Sequence, residues 1–410
     1  MNPEIFLWIF IALVIFEFFF STILDYLNDK NWKDEIPESL KEFYDKKNYA
    51  KARDYKIETG KISFISTTVS IVITLCFLWF EGFGILSDYI TVDYSSPFLQ
   101  TAIFFFVLFI FNTIISLPFS YYSTFYIEEK FGFNKTTLKT FITDKIKGIF
   151  LSMCIGGILL GAAIYLLSIF EEDFWIWLWV GLSAFMIFMN MFYAELIVPI
   201  FNKLTPLKEG SLREKIEEYS RKVGYSLKNI YVIDGSKRST KANAFFSGLG
   251  PKKTIALYDT LIEKHGEEEL VAVLAHEVGH YKKKHIFSSM IFSILELGIM
   301  CFLFEMCMNQ PIIAEALGSS QMSFHLGLIG FSFLYSPIGL ITGILSNVYS
   351  RKNEFEADEY AKDTYDGSSL ELALKKLSVD SLSNLYPHPL FVFVHYSHPP
   401  LLKRLEAMAK

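Results

Sequence analysis

The sequence predicts an α-helical, polytopic membrane protein of seven spans that carries a small α/β unit at one polar face. Three observations predict it. Of the 410 residues, 52% are hydrophobic and 17% aromatic against 20% charged, a balance seldom met in soluble chains. The apolar residues are blocked into seven runs long enough to cross a bilayer, which takes roughly 20 residues each. The segments between the runs alternate between rich in lysine and arginine and free of both. The net charge of −6 says little by itself, because placement relative to a membrane matters more than the sum. No basic domain or aromatic-basic ribbon points to a nucleic-acid partner.

The spans fall near 4–23, 62–86, 98–120, 148–170, 174–198, 286–308 and 324–346. The first follows "MNPE", with no basic leader and no small-residue cleavage site, and reads as a retained anchor. Segment 24–61 holds nine Lys/Arg and 121–147 holds five, and 199–285 and the tail after 346 are also basic. Segments 87–97, 171–173 and 309–323 hold none. The positive-inside rule then puts the N-terminus outside, and the C-terminus with every polar unit in the cytoplasm. Residues 1–201 form an N-terminal membrane domain of five spans, and 202–410 a second domain built around the last two. The four cysteines (Cys76, Cys154, Cys301 and Cys307) all lie in apolar runs with no CxxC, which suggests neither disulfides nor a thiolate metal site.

Within 202–285, "SLREKIEEYSRKVGY" has helical periodicity. The runs "NIYVID", "ANAFFSG" and "TIALYD" are short and β-rich, separated by "GSKRST" and "LGPKK", so a small sheet or meander is expected. A helix opens at "GEEEL". Its three leading glutamates and three closing lysines (Lys282, Lys283 and Lys284) both suit the helix dipole.

That last helix reads "VAVLAHEVGHYKKKH". His276 and His280 stand one turn apart on one face, so both imidazoles can reach one metal ion. Glu277 lies about 100° further round. Zinc held by two histidines and a carboxylate keeps a fourth position for water, and Glu277 can take that water's proton. The bland alternative is an amphipathic helix that contains two histidines by chance.

The third ligand comes from beyond the last two spans, which form a hairpin and return the chain to the same side. There the sequence reads "SNVYSRKNEFEADEYAKD". His280 lies about six residues before the hairpin and Glu354 about eight after it, so their depths match at 1.5 Å per helical residue. Glu354 and Asp358 share a helical face and Glu356 points elsewhere. Glu354 is therefore the expected metal carboxylate, and Asp358 the acceptor that orients a ligating histidine. An ordinary charged helix beside the membrane is the competing reading.

Together, "AHEVGH", "SRKNEFEAD" and "HYSHPPLLKRL" around seven hydrophobic spans resemble the type I CAAX prenyl protease family of integral-membrane zinc metalloendopeptidases. "NAFFSGLGPKKTIALYDTLI" and "DYLNDKNW…KARDYK" fit as well. The resemblance implies seven helices around a large chamber, one zinc ion per chain, and a peptide or protein substrate. It implies that Asn243, Ala244 and Phe245 form a strand edge along which substrate lies extended, although Phe245 and Phe246 also read as core. It makes His398 of "SHPP" the group that steadies the tetrahedral oxyanion, and places Arg404 at a family arginine where a surface cation is the default. The remaining histidines (His265, His285, His325, His388 and His395) are given structural or interfacial roles. Glu17, Glu195 and Glu296 are candidates to line a polar cavity within the spans.

The resulting expectation is a zinc endopeptidase in the bilayer, facing the cytoplasm and cleaving near the C-terminus of extended, prenylated CAAX peptides. A bacterial inner membrane is the expected location, with the endoplasmic reticulum as the alternative. A quality-control protease of the heat-shock type, without prenyl dependence, is the second reading. A site-2 type protease is disfavoured because its HExxH lies inside a span. A non-catalytic scaffold or transporter is disfavoured because neither Glu277 nor a ligand is missing. Oligomeric state is not legible.

Overall fold

The computed structural model describes residues 2–170, 172–227, 229–247 and 254–410. Its first half is helical: α1 (Pro3–Lys30), α2 (Lys46–Trp79), α3 (Gly82–Asp93), α4 (Pro97–Tyr122), α5 (Leu138–Ile169), α6 (Phe174–Leu196) and α7 (Val198–Phe201). Then come β1 (Leu204–Pro206), α8 (Ser211–Lys222), β2 (Asn229–Ile233), β3 (Ala244–Ser247), β4 (Thr254–Tyr258), α9 (Asp259–Lys264) and α10 (Glu267–Lys282). The chain closes with α11 (His285–Met308), α12 (Pro311–Ala316), α13 (Phe324–Thr364), α14 (Gly367–Asp380), α15 (Pro389–His395) and α16 (Leu401–Met408). Among the described residues, seven helices are long and apolar enough to cross a membrane, one for each predicted run.

Local chemistry sets where the long helices begin. Asn2, Asp45, Ser96, Thr137 and Ser323 each accept a backbone N–H from the first turn that follows, which satisfies a donor the helix cannot. Pro3 and Pro97 sit at the starts of their helices, where the missing N–H costs nothing.

The second span ends earlier than its hydropathy suggests. Helix α2 stops at Trp79, Glu81 adopts a left-handed φ of 56°, and α3 leaves in a new direction. The cause is tertiary. Gly84 donates its N–H to the Leu317 carbonyl at 2.8 Å, and a Cβ on Gly84 would lie 2.2 Å from the Gly318 carbonyl carbon. Only a glycine permits that contact between backbones. Near it, buried His325 lies between Ser87 Oγ at 2.8 Å and Thr101 Oγ1 at 3.3 Å, tying α13 to α3 and α4. Glu296 accepts a hydrogen bond from Thr342 and so links α11 to α13.

The sheet is mixed, with strand order β1-β2-β4-β3, and is not a meander. Strands β2 and β4 pair in parallel, from Asn229 opposite Thr254 to Ile233 opposite Tyr258. Strand β3 lies antiparallel to β4 on the outer side, with Ala244 opposite Leu257. The turn expected at "LGPKK" lies outside the described residues. Strand β1, which pairs with β2, has three residues and ends in a proline, so it carries little strand signal of its own.

Helix α13 runs unbroken through Pro337 for 41 residues, about 60 Å at 1.5 Å per residue. That is roughly twice the hydrocarbon thickness of a bilayer, so the last apolar run and the acidic segment after it are one rod. The polar end of α13 packs with α8, α10, α14 and the sheet around one apolar core. Leu40, Tyr44, Tyr49 and Ala52, all from the first polar segment, are buried in that same core beside Leu261, Leu274 and Ala361.

Candidate metal centre

The centre forms where α10 crosses α13. Leu270, Val271, Leu274, Ala275 and Val278 face the core and are fully buried or nearly so, which fixes the rotation of α10. Gly279 sets the distance of the crossing. A Cβ there would lie 3.1 Å from both Cα and O of Ala357, so the two backbones touch at this point. The crossing holds His276 and His280 against Glu354 and Asp358.

The two histidine Nε2 atoms are 3.2 Å apart. His276 Nε2 lies 3.4 Å from Glu354 Oε2, and His280 Nε2 3.3 Å from Glu354 Oε1. Donor atoms bound tetrahedrally at about 2.0–2.1 Å lie about 3.3 Å from one another. The Nε2–Nε2 separation suits one ion, and the Glu354 carboxylate turns one oxygen to each ring across the same space. One donor atom from each residue can be chosen so that all lie within 4.8 Å of one another. Glu354 Oε2 is buried without a hydrogen-bond partner, a cost that a bound cation removes. Two imidazoles and one carboxylate are a donor set that a divalent transition metal accepts.

Asp358 Oδ1 lies 2.9 Å from His276 Nδ1, on the far side of that ring. Burial opposes a charge on His276, but hydrogen bonds to Asp358 and Glu354 outweigh it and raise its pKa to about 9 in the metal-free protein. A carboxylate on Nδ1 also directs the Nε2 lone pair into the centre.

A cavity of about 820 Å³ opens on the centre and is lined by Glu277, His280, Glu354, His398, Phe245 and Phe246 among others. Glu277 is half-buried there. His398 Nε2 lies 3.3 Å from Glu354 Oε1, and its ring is otherwise largely exposed. Asn243 and Ala244 do not line the cavity. Asn243 turns its side-chain oxygen back to the Ala244 N–H at 2.8 Å, and Ala244 packs against the core. Among the described residues no strand pairs with the outer edge of β3, so these positions offer the edge through their backbone.

Two residues emerge that the sequence reading gave no such place. Arg404 is not a surface cation. It is buried, its Nε and Nη2 donate to Asp358 Oδ2 and Oδ1 at 2.8 and 2.5 Å, and its Nη1 stands 3.4 Å from Glu354 Oε2. The signal was its position on α16, three residues after Leu401 and four before Met408, on the apolar stripe. Arg351 lies one turn before Glu354 and donates to the carbonyls of Val392 and Phe393 at 3.0 and 3.3 Å, and to that of Tyr396. It closes the end of α15 and fixes the start of the loop that carries His398.

Comparisons with known proteins find relatives over nearly the whole chain. Residues 25–203 match the family described as CAAX prenyl protease N-terminal, five membrane helices, and residues 206–410 match peptidase family M48. The chain is 34% identical to a CAAX prenyl protease 1 homolog of Oryza sativa subsp. japonica, with 97% of this chain and 96% of that one covered. It is 33% identical to CAAX prenyl protease 1 of Saccharomyces cerevisiae, with coverage of 96% and 93%. The crystal structure of S. mikatae Ste24p superposes with a TM-score of 0.92 at 34% identity, over 98% of both chains. The chain thus belongs to peptidase family M48 and is a multi-pass membrane metalloendopeptidase.

Proposed function

We propose that this protein holds one zinc ion on His276, His280 and Glu354 and hydrolyses a peptide bond near the C-terminus of an extended, prenylated CAAX substrate. The observation that carries the proposal is the set of three donor separations of 3.2 to 3.4 Å, at the floor of a cavity that Glu277 and His398 also face. Bound there, zinc supplies Lewis acidity that brings the pKa of a water towards about 7 and polarises the scissile carbonyl.

The chain's own residues do the rest. The outer edge of β3, from Ala244 onward, takes the substrate as an added strand, which fixes the scissile bond by main-chain hydrogen bonds whatever its side chains. Glu277 accepts the proton of the attacking water as the new C–O bond forms. It returns that proton to the amide nitrogen as the C–N bond breaks. His398 donates to the oxyanion that develops on the carbonyl oxygen. Asp358, gripped by Arg404, holds His276 in the tautomer whose Nε2 faces the centre.

Relatives named CAAX prenyl protease 1 over nearly the whole chain support the substrate class. The charge alternation of the polar segments supports a cytoplasmic active site with the N-terminus outside. These relatives are eukaryotic, so a bacterial inner membrane rests only on the lysine- and phenylalanine-rich composition. The endoplasmic reticulum is the other location.

The test is a cleavage assay of purified full-length protein, wild type and Glu277→Gln, on one CAAX peptide with and without its prenyl group. Metal content is measured on the same samples. The expected result is one zinc per chain in both proteins, with cleavage of the prenylated peptide by wild type alone. Equal cleavage of the unprenylated peptide would remove the prenyl requirement and favour a quality-control protease. Absence of zinc from wild type would overturn the proposal.

A further inference from the structure

We propose that His285 and Glu356 orient the second metal histidine, His280, as Asp358 orients the first. This rests on the metal reading given above. His280 turns its Nε2 towards Glu354 and His276. Its other nitrogen, Nδ1, lies 3.1 Å from His285 Nδ1, and His285 Nε2 lies 3.1 Å from Glu356 Oε2. His285 is buried, with its ring edge-on to His280 at 5.2 Å between centroids.

Once His280 Nε2 gives its lone pair to a metal, one proton assignment satisfies the chain of contacts. The His280 proton sits on Nδ1 and is donated to His285 Nδ1. His285 then carries its own proton on Nε2 and donates it to the Glu356 carboxylate. Each donor meets an acceptor, and the series ends on a carboxylate, as metal-bound histidines generally require. Helix α13 thus serves the centre three times: Glu354 as ligand, Asp358 directly behind His276, and Glu356 behind His280 through an intervening imidazole.

The corner between α10 and α11 makes this possible. In an unbroken helix, His285 would stand about 140° round from His280 and face away. Lys284 instead adopts φ 62° and starts α11 in a new direction, a backbone state rare for residues other than glycine. That turn brings the first side chain of α11 back onto the last face of α10. It also explains why spacing along the sequence hides the contact.

A cavity of about 310 Å³ borders both rings, its lining mixed, with Asn190, Ser289, Ser293 and Asn353 among its polar members. Water from it can replace a truncated side chain as the acceptor. The informative variant is therefore His285→Leu, which fills the volume and accepts nothing. His285→Asn puts an amide oxygen where Nδ1 stood.

The experiment measures zinc affinity of the full-length protein by competition with a chelator, together with the absorption spectrum of the cobalt(II) form. Wild type, His285→Leu, His285→Asn and Glu356→Ala are compared, with Asp358→Ala as the reference for a lost orienting group. The expected result is a loss of about 10–100-fold in affinity for His285→Leu with altered cobalt bands. Recovery of most of it is expected in His285→Asn, and a smaller loss in Glu356→Ala. Wild-type affinity and spectrum in His285→Leu, or no recovery in His285→Asn, would overturn the proposal. Should His285→Leu fail to fold, wild-type affinity and cobalt spectrum in Glu356→Ala overturn it equally. A wild type that binds no metal would instead remove the reading on which the proposal rests.

Discussion

Arg404 grips both carboxylate oxygens of Asp358, Nε to Oδ2 at 2.8 Å and Nη2 to Oδ1 at 2.5 Å, within the protein interior. The pairing is bidentate and charge-assisted, the strongest geometry open to these groups. It leaves Asp358 Oδ1 facing His276 at 2.9 Å with its direction fixed.

Replacing Arg404 by alanine leaves Asp358 buried beside Glu354 without a counter-charge. The expected cost is about 3–5 kcal/mol of stability, with weaker metal retention. Arg404→Lys keeps the charge and loses the fork, so it recovers only part. Thermal unfolding and metal content of the two variants check this.

Gly279→Ala adds a methyl group 3.1 Å from backbone atoms of Ala357. Helix α10 is forced off α13 by a few tenths of an ångström, at about 1–3 kcal/mol. Because both proposed metal histidines ride on α10, metal affinity should fall in parallel with melting temperature. A variant that melts lower but binds metal as wild type would contradict the crossing described here.

With His276 as a proposed ligand, metal uptake should depend on pH, because its pKa is raised to about 9 in the metal-free protein. A raised pKa means that the proton is held at neutral pH, and a ligating nitrogen has to give it up. Apparent zinc affinity therefore rises by about tenfold per pH unit, levels off above pH 9, and falls as the solution is acidified. Chelator competition at several pH values gives the slope, and a flat profile between about pH 6 and about pH 8 would refute it.

Arg351→Ala frees the end of α15 and lets the loop bearing His398 drift. Misplacement of a reacting group by about 1 Å costs up to about 100-fold in turnover. The expected phenotype is a lower kcat at full zinc content, in the direction of His398→Ala, whose loss is about 100–1000-fold for an oxyanion donor. Loss of zinc in Arg351→Ala would mean that it acts through Glu354 instead.

What was legible follows from range. Seven spans could be read because hydropathy is a property of consecutive residues. His276, Glu277, His280, Glu354 and Asp358 could be singled out because helical spacing converts directly into a shared face. The end of α2 at Trp79 was not legible, because Glu81 is the one charge in a run that is otherwise uncharged to 86, and the break comes from Gly84 meeting Gly318. The parallel pairing of β2 with β4 was hidden for a similar reason: neighbouring strands in sequence are expected to pair first. Arg351, Arg404 and His285 act through contacts across chain turns; the apolar stripe of α16 announces that Arg404 is buried, but not that Asp358 is its partner.

The burial of Leu40, Tyr44, Tyr49 and Ala52 against Leu261, Leu274 and Ala361 bears on how the molecule is made. The first polar segment leaves the ribosome long before the partners it will cover, with four more spans made before Leu261 and Leu274 and six before the chain reaches Ala361. Pairings that distant in sequence are slow to form and expose apolar surface meanwhile. The peptidase half made without that segment is therefore expected to lack part of its core. A chain cut between the halves should regain structure only when both are synthesised in the same membrane.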